Sequence, residues 1–252
     1  YMLVGGMPKA VAEYIKTNYL GAVDLIKRDI VSLYEEDFWK LDDTGRAAAM
    51  FDAIPAQLSK NASRYQISTA IPGEKPDRVT SVVKMMNDCM ATNVAYHSND
   101  PNIGLALTMD HERFKMYASD TGLFVTLAFK DKGFTENSIY EKLLNDKLST
   151  NLSYVYENVI AQMLRASGKQ LFYHTIPTPD GKKYYEIDFL IADEYKVSPI
   201  EVKSSGYKSH TSLDVFCKKY SDRIQNRYII YTKDLKREQG IDYIPVYMTM
   251  FL

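Results

Sequence analysis

The stretch that most constrains this chain runs from Tyr184 to Lys203. It reads Tyr184-Tyr185-Glu186-Ile187-Asp188-Phe189-Leu190-Ile191, a polar link Ala192-Asp193-Glu194-Tyr195-Lys196, then Val197-Ser198-Pro199-Ile200-Glu201-Val202-Lys203. Two runs rich in β-branched and aromatic residues around a polar link predict an antiparallel hairpin. Side chains alternate faces along a strand, which predicts Glu186 with Asp188 on one face, and Glu201 with Lys203 on one face. A turn centred on Glu194 and Tyr195 sets Asp188 opposite Glu201, with Ile187, Phe189, Ile200 and Val202 on the other side. Like charges directly opposite each other destabilise a strand pair. A hard divalent cation, Mg²⁺ or Mn²⁺, removes the conflict, because it prefers oxygen ligands and is held by one or two carboxylates. Asp188 and Glu201 are therefore the candidate metal ligands, with Glu186 as an extra acid. Lys203 is the cation placed to orient water or to stabilise charge on a phosphate. The plain alternative is an amphipathic hairpin with a solvated charged face.

The pattern Asp188-(x12)-Glu201-x-Lys203, with Glu-Ile-Asp-Phe-Leu in one strand and Pro-Ile-Glu-Val-Lys-Ser in the next, resembles the PD-(D/E)xK nuclease superfamily, the restriction-endonuclease-like proteins. That resemblance implies a metal-dependent site in which an acid from a preceding helix joins the hairpin's carboxylates.

With 252 residues, 46% hydrophobic and 25% charged, the chain has ordinary globular composition and can bury a sizeable core. Its apolar runs fall short of a membrane span, and no secretory signal leads it. Cys89 and Cys217 stand far apart without metal-ligand spacing, which reads as reduced thiols in a cytoplasm. His97, His111, His174 and His210 are scattered and argue against a zinc site. The net charge of -1 is spread evenly, so there is no global basic field for non-specific nucleic-acid binding, and any DNA contact must come from local patches. The opening Tyr1-Met2-Leu3 suggests a piece of a longer protein.

Along the chain, Pro8 suits a first helical turn, and Val11, Tyr14 and Ile15 recur at helical spacing. Asp24–Trp39 predicts a second helix, with Trp39 as an anchor against the next domain. Asp77–Ala91 predicts a third, with Val79, Val82, Val83, Met86, Cys89 and Met90 on one face. Val94–His97 and Leu105–Met109 read as strands joined by a turn, and Arg113–Tyr117 as a continuation. Three helices followed by a small hairpin is the order of a winged helix-turn-helix, a module that binds DNA or joins other domains. After a boundary at Lys130–Asn137, Asn151–Ala166 predicts a helix that carries Glu157. Strands follow at Gln170–Ile176, in the hairpin, at Asn226–Thr232 and at Ile244–Met248, with a helix at Ser212–Arg223. The expected fold is α+β overall. A helical and winged-helix lobe spans 1–133, and an α/β restriction-endonuclease-like domain with a mixed central sheet spans 134–252.

Several stretches together resemble the C-terminal region of a family of prokaryotic AAA-type ATPases. They are Leu3-Val4-Gly5-Gly6-Met7-Pro8, Ile54-Pro55-Ala56-Gln57-Leu58-Ser59-Lys60, Phe114-Lys115-Met116-Tyr117-Ala118-Ser119-Asp120-Thr121-Gly122-Leu123-Phe124, Tyr156-Glu157-Asn158, Glu186-Ile187-Asp188-Phe189 and Glu201-Val202-Lys203-Ser204. In that family a P-loop domain precedes a winged-helix segment and a domain of nuclease-like fold. This chain lacks Gly-x4-Gly-Lys-[Ser/Thr], so the resemblance assigns ATP to an N-terminal domain outside it. The catalytic residues it implies are Glu157, Asp188, Glu201 and Lys203, with metal on Asp188 and Glu201. Three functions emerge as expectations. The first is Mg²⁺- or Mn²⁺-dependent cleavage of DNA. The second is a catalytically silent module that positions the ATPase on DNA or a partner protein. The third is pure oligomerisation or interdomain packing, including self-association through the ATPase part. None involves a membrane.

Overall fold

The computed structural model describes residues 1–60, 62–131, 140, 153–193 and 195–252. They form two compact units that interleave along the chain. Tyr1–Ala62, Gln66–Thr92 and Tyr117–Gln162 make the first; Ser63–Tyr65, Asn93–Met116 and Met163–Leu252 make the second. The architecture is α+β, with helices leading the chain and a mixed eight-stranded sheet. The boundary expected at Lys130–Asn137 lies, from residue 132 onward, outside the described residues.

The first unit opens with α1 (Pro8–Thr17), which Pro8 starts and Asn18 ends in a left-handed conformation. Next come α2 (Leu20–Leu41), α3 (Arg46–Asp52), α4 (Ile54–Ser59), α5 (Ile67–Ala70) and α6 (Thr80–Asp88). Val31, Phe38, Met50, Phe51, Ile54 and Phe124 are buried here. Trp39 is no buried anchor: it is 56% exposed and lies over Gly45, where an added Cβ would come within 2.5 Å of the ring. The third helix is shorter than its periodicity predicts. Its first turn is a 3-10 segment at Pro76–Arg78, and Cys89 and Met90 are exposed beyond its end.

A polar knot ties the N-terminal segment to α7 (Thr121–Ala128). The Asp120 carboxylate caps α7 by accepting from Leu123 N (2.9 Å) and also accepts from Gly6 N (2.6 Å). Lys27, fully buried on α2, donates to Leu3 O (2.7 Å), Gly122 O (3.3 Å) and the Tyr140 hydroxyl (3.2 Å). The Tyr140 hydroxyl donates in turn to Asp24 Oδ1 (2.6 Å). On α8 (Ser153–Ala166), Asn158 accepts from Ala118 N and donates to Ala118 O, so its amide serves as a backbone substitute.

The sheet of the second unit has the order β2-β1-β3-β4-β5-β6-β8-β7. Its strands are β1 (Thr92–Ser98), β2 (Met109–Ala118), β3 (Leu171–Pro177), β4 (Tyr184–Asp193), β5 (Lys196–Lys203), β6 (Tyr228–Tyr231), β7 (Lys236–Glu238) and β8 (Ile241–Pro245). β1 runs parallel to β3, β3–β4–β5 are antiparallel, and β5, β6 and β8 are parallel. Leu105–Thr108, expected as a strand, is a 3-10 turn before β2, and both β1 and β2 belong to the eight-stranded sheet. The last strand lies upstream of its expected place, and Val246–Phe251 is a 3-10 segment. α9 (Thr211–Lys219) covers one sheet face, packing Leu213, Phe216 and Cys217 against Phe172, Leu190, Val197, Ile229 and Tyr243. The central strand β5 is buried almost end to end, as a parallel neighbour covered on both faces should be.

Candidate metal and phosphate site

The β4–β5 hairpin forms in the expected register. Asp193 pairs with Lys196 and Phe189 with Ile200, which leaves Asp188 and Glu201 one residue beyond the last pair. Glu194, at the centre of the expected turn, lies outside the described residues. The ladder between the two strands ends at Phe189–Ile200, where β5 continues its parallel pairing with β6 from Ile200 to Lys203. Asp188 reaches across this divergence, and its Oδ2 accepts from Val202 N at 2.7 Å.

Simple alternation fails at this point. On the other side of β4, Phe172 pairs with Leu190 but His174 pairs with Ile187, so two residues of β3 face three of β4. This is a β-bulge at Asp188–Phe189, and it turns Ile187 and Leu190 into the same core under α9. Glu186 pairs with Lys115, a β2 residue only 5% exposed that strand patterning alone does not assign to the site. The Lys115 ammonium also lies 5.7 Å from the Tyr173 ring centroid.

Glu201 is 5% exposed. Its Oε1 is 2.7 Å from Lys203 Nζ, and its Oε2 is buried without a hydrogen-bond partner among the described residues. Burial raises Glu201 above the ordinary carboxylate range and Asp188 raises it further, while Lys203 and the Leu213 amide at the start of α9 oppose the shift. Asp188 is also raised by burial, against Lys115, the Val202 amide and Lys203. Glu186 is raised by burial and then by Asp188, with Lys115 opposing. Nearby on α9, burial pushes the Cys217 thiol up to about 11, so it is a core residue and no nucleophile.

Asp188, Glu201 and Lys203 thus come together in the second unit, whereas Glu157 on α8 is a residue of the first. Among the described residues, no three His, Cys, Asp or Glu side chains are arranged to hold a metal. The site instead offers a pair of carboxylates, Asp188 and Glu201, with two lysines close by. A pair suffices for Mg²⁺ or Mn²⁺, which fill their remaining positions with water and substrate phosphate. The orphaned Oε2 of Glu201 is the feature that fits a cation best. Among the described residues no helix is long and apolar enough to cross a membrane.

A family model described as a domain of unknown function, DUF4143, matches residues 152–249, and another, DUF8612, matches residues 1–134. No curated protein and no solved structure matches the chain. The N-terminal match covers more than half of the 252 residues, and the chain therefore belongs to the family of the domain of unknown function DUF8612.

Proposed function

We propose that the second unit holds a divalent cation on Asp188 and Glu201 and hydrolyses phosphodiester bonds of DNA, as the PD-(D/E)xK resemblance implies. The observation that carries this reading is Glu201 Oε2, a buried carboxylate oxygen without a partner among the described residues, beside a second buried carboxylate. Leaving such an oxygen unmet costs more than an ordinary hydrogen bond gains, and a cation meets it. When bound, the ion supplies a water of lowered pKa and polarises a phosphate oxygen.

The chain's own residues set the stage. Lys203 fixes Glu201, and the Val202 amide fixes Asp188, so both acids are oriented before anything binds. Lys203 is partly exposed and can meet negative charge developing on a phosphate. The family matched by residues 152–249 is often found in AAA ATPase-associated proteins, which supports placing this activity beside an ATPase.

Incubation of supercoiled plasmid and single-stranded DNA with Mg²⁺ or Mn²⁺ tests the reading. Wild type should cut at least one substrate and Asp188→Asn should cut neither. Folded wild-type protein that leaves both intact with either metal would falsify it. A second reading, a silent module that binds DNA or a partner protein, is favoured by the lysines that already compensate Glu186 and Glu201. In that case binding persists with unchanged salt dependence in Asp188→Ala.

A further inference from the structure

A cluster of aromatic and basic side chains gathers where β5 and β6 end. Lys203 closes β5 and pairs in register with Tyr231 at the end of β6, so the two side chains stand on one face of the sheet. The Tyr231 ring lies 5.6 Å from that of Tyr243 and 5.2 Å from that of Tyr207, which comes from the loop 204–210. Tyr231 and Tyr243 are buried, and Tyr207 packs on both of them half-exposed. Two ammonium groups lie over this one ring, Lys233 Nζ at 4.9 Å and Lys236 Nζ at 5.1 Å from its centroid. The loop that carries Lys233 is pinned from within, because the Tyr231 hydroxyl donates to Asp234 O.

Packing does not require this arrangement. One lysine gives the ring its cation–π contact, and the second adds a like charge within about 10 Å of the first, near the screening length in 0.1 M salt. Lys203 and Lys236 are each shared with one carboxylate, Glu201 and Glu238, whereas Lys208 and Lys233 form no ion pair among the described residues. Asp234 is the one acid within 203–208 and 232–236. The surface thus holds uncompensated positive charge on a fixed frame, beside the partly exposed Lys203. We propose that Tyr207, Lys233 and Lys236 form a backbone clamp for a DNA strand, gripping phosphates next to those that reach Lys203. This rests on the reading of the second unit as acting on DNA, but it needs no metal ion. The ring keeps both ammonium groups poised, so little side-chain freedom is lost when a phosphate settles against them. Regularly repeated phosphates suit a row of ammonium groups that runs from Lys203 to Lys233.

Fluorescence anisotropy of the whole chain with labelled single-stranded and duplex DNA, in EDTA, tests this apart from cleavage. Wild type should bind at least one of the two, with an affinity that falls as salt rises. Lys233→Gln combined with Lys236→Gln, folded by circular dichroism, should weaken that binding about tenfold and lower the salt slope by about one to two. Lys9→Gln combined with Lys16→Gln, both on α1, removes the same charge and should leave the affinity nearly unchanged. Tyr207→Phe should bind as wild type does, and Tyr207→Leu, which frees both lysines, several-fold more weakly. No DNA binding by wild type, or a double variant of Lys233 and Lys236 that keeps the wild-type affinity and salt slope, overturns the clamp. Tighter binding of polyglutamate than of DNA also overturns it and assigns the surface to an acidic protein. Clamp-dependent binding without cleavage in Mg²⁺ or Mn²⁺ upholds the clamp and overturns the hydrolytic reading, whereas cleavage that this double variant retains in full overturns the clamp alone.

Discussion

Asp188 concentrates the conflict in this molecule, because burial raises it above the ordinary carboxylate range although it must be charged to hold a metal. A group with a raised folded pKa binds its proton more tightly in the folded state. Its charged form therefore weakens the fold at neutral pH, and the penalty fades as pH falls through the folded pKa. Asp188→Asn removes that penalty and keeps an oxygen to accept from Val202 N. Its melting temperature at pH 7 should exceed wild type by on the order of 2–4 °C, with the gap closing toward pH 4; a lower melting temperature at pH 7 contradicts this. The same variant should bind Mn²⁺ at least about 100-fold more weakly. The buried histidines carry the opposite sign. His97 is pushed down to about 4 by burial, then by Arg113 and His174, and His174 is lowered by burial. The rings stack at 5.3 Å, and His97 bonds Asn99 through Nδ1 and Thr175 through Nε2. Their neutral forms support the fold above the unfolded pKa of about 6.5, and that support drains away as pH falls toward about 4. In urea denaturation at stepped pH, His97→Gln should flatten the loss of stability across this window. An unchanged slope would show that the pair does not titrate as the burial implies.

At the scale of elements, the hairpin's register was legible because period-two patterning and a polar link leave one alignment, and the pairing follows it from Asp193–Lys196 to Phe189–Ile200. The bulge was not legible. One surplus residue in β4 disturbs neither propensity nor hydrophobic pattern, and it shows only when β3 pairs alongside. Lys115 was hidden for a similar reason, since its partner lies 71 positions away. Its signal was available, however: a lysine inside Phe114-Lys115-Met116-Tyr117 is a buried charge that needs a carboxylate. The short strand β7 is polar and escaped notice, while Leu105–Thr108 is apolar enough to read as strand yet closes a 3-10 turn. The motif around Asp120 carries its own test. A Cβ on Gly122 would stand 2.5 Å from Gly5 N and Val4 O, both backbone atoms that cannot yield. Gly122→Ala should therefore cost about 1–3 kcal/mol of stability, read as a shift in the urea midpoint; an unmoved midpoint would mean that the close approach of Gly5 and Gly122 is not needed.

For the whole molecule, sequence order was a poor guide to grouping. β1 and β2 come early in the chain but join the sheet of the second unit, because strand pairing is decided by partners far along the chain. The net charge of -1 likewise says little about partners, since Asp188, Glu201 and Lys203 gather into a local cluster at the end of the hairpin. The proposed function requires that cluster to be a cation site, and isothermal titration of wild type and Asp188→Asn with Mn²⁺ tests it most directly. Saturable binding by wild type that disappears in a folded Asp188→Asn is the predicted result. No heat of binding with wild type, or equal binding by both proteins, would contradict it.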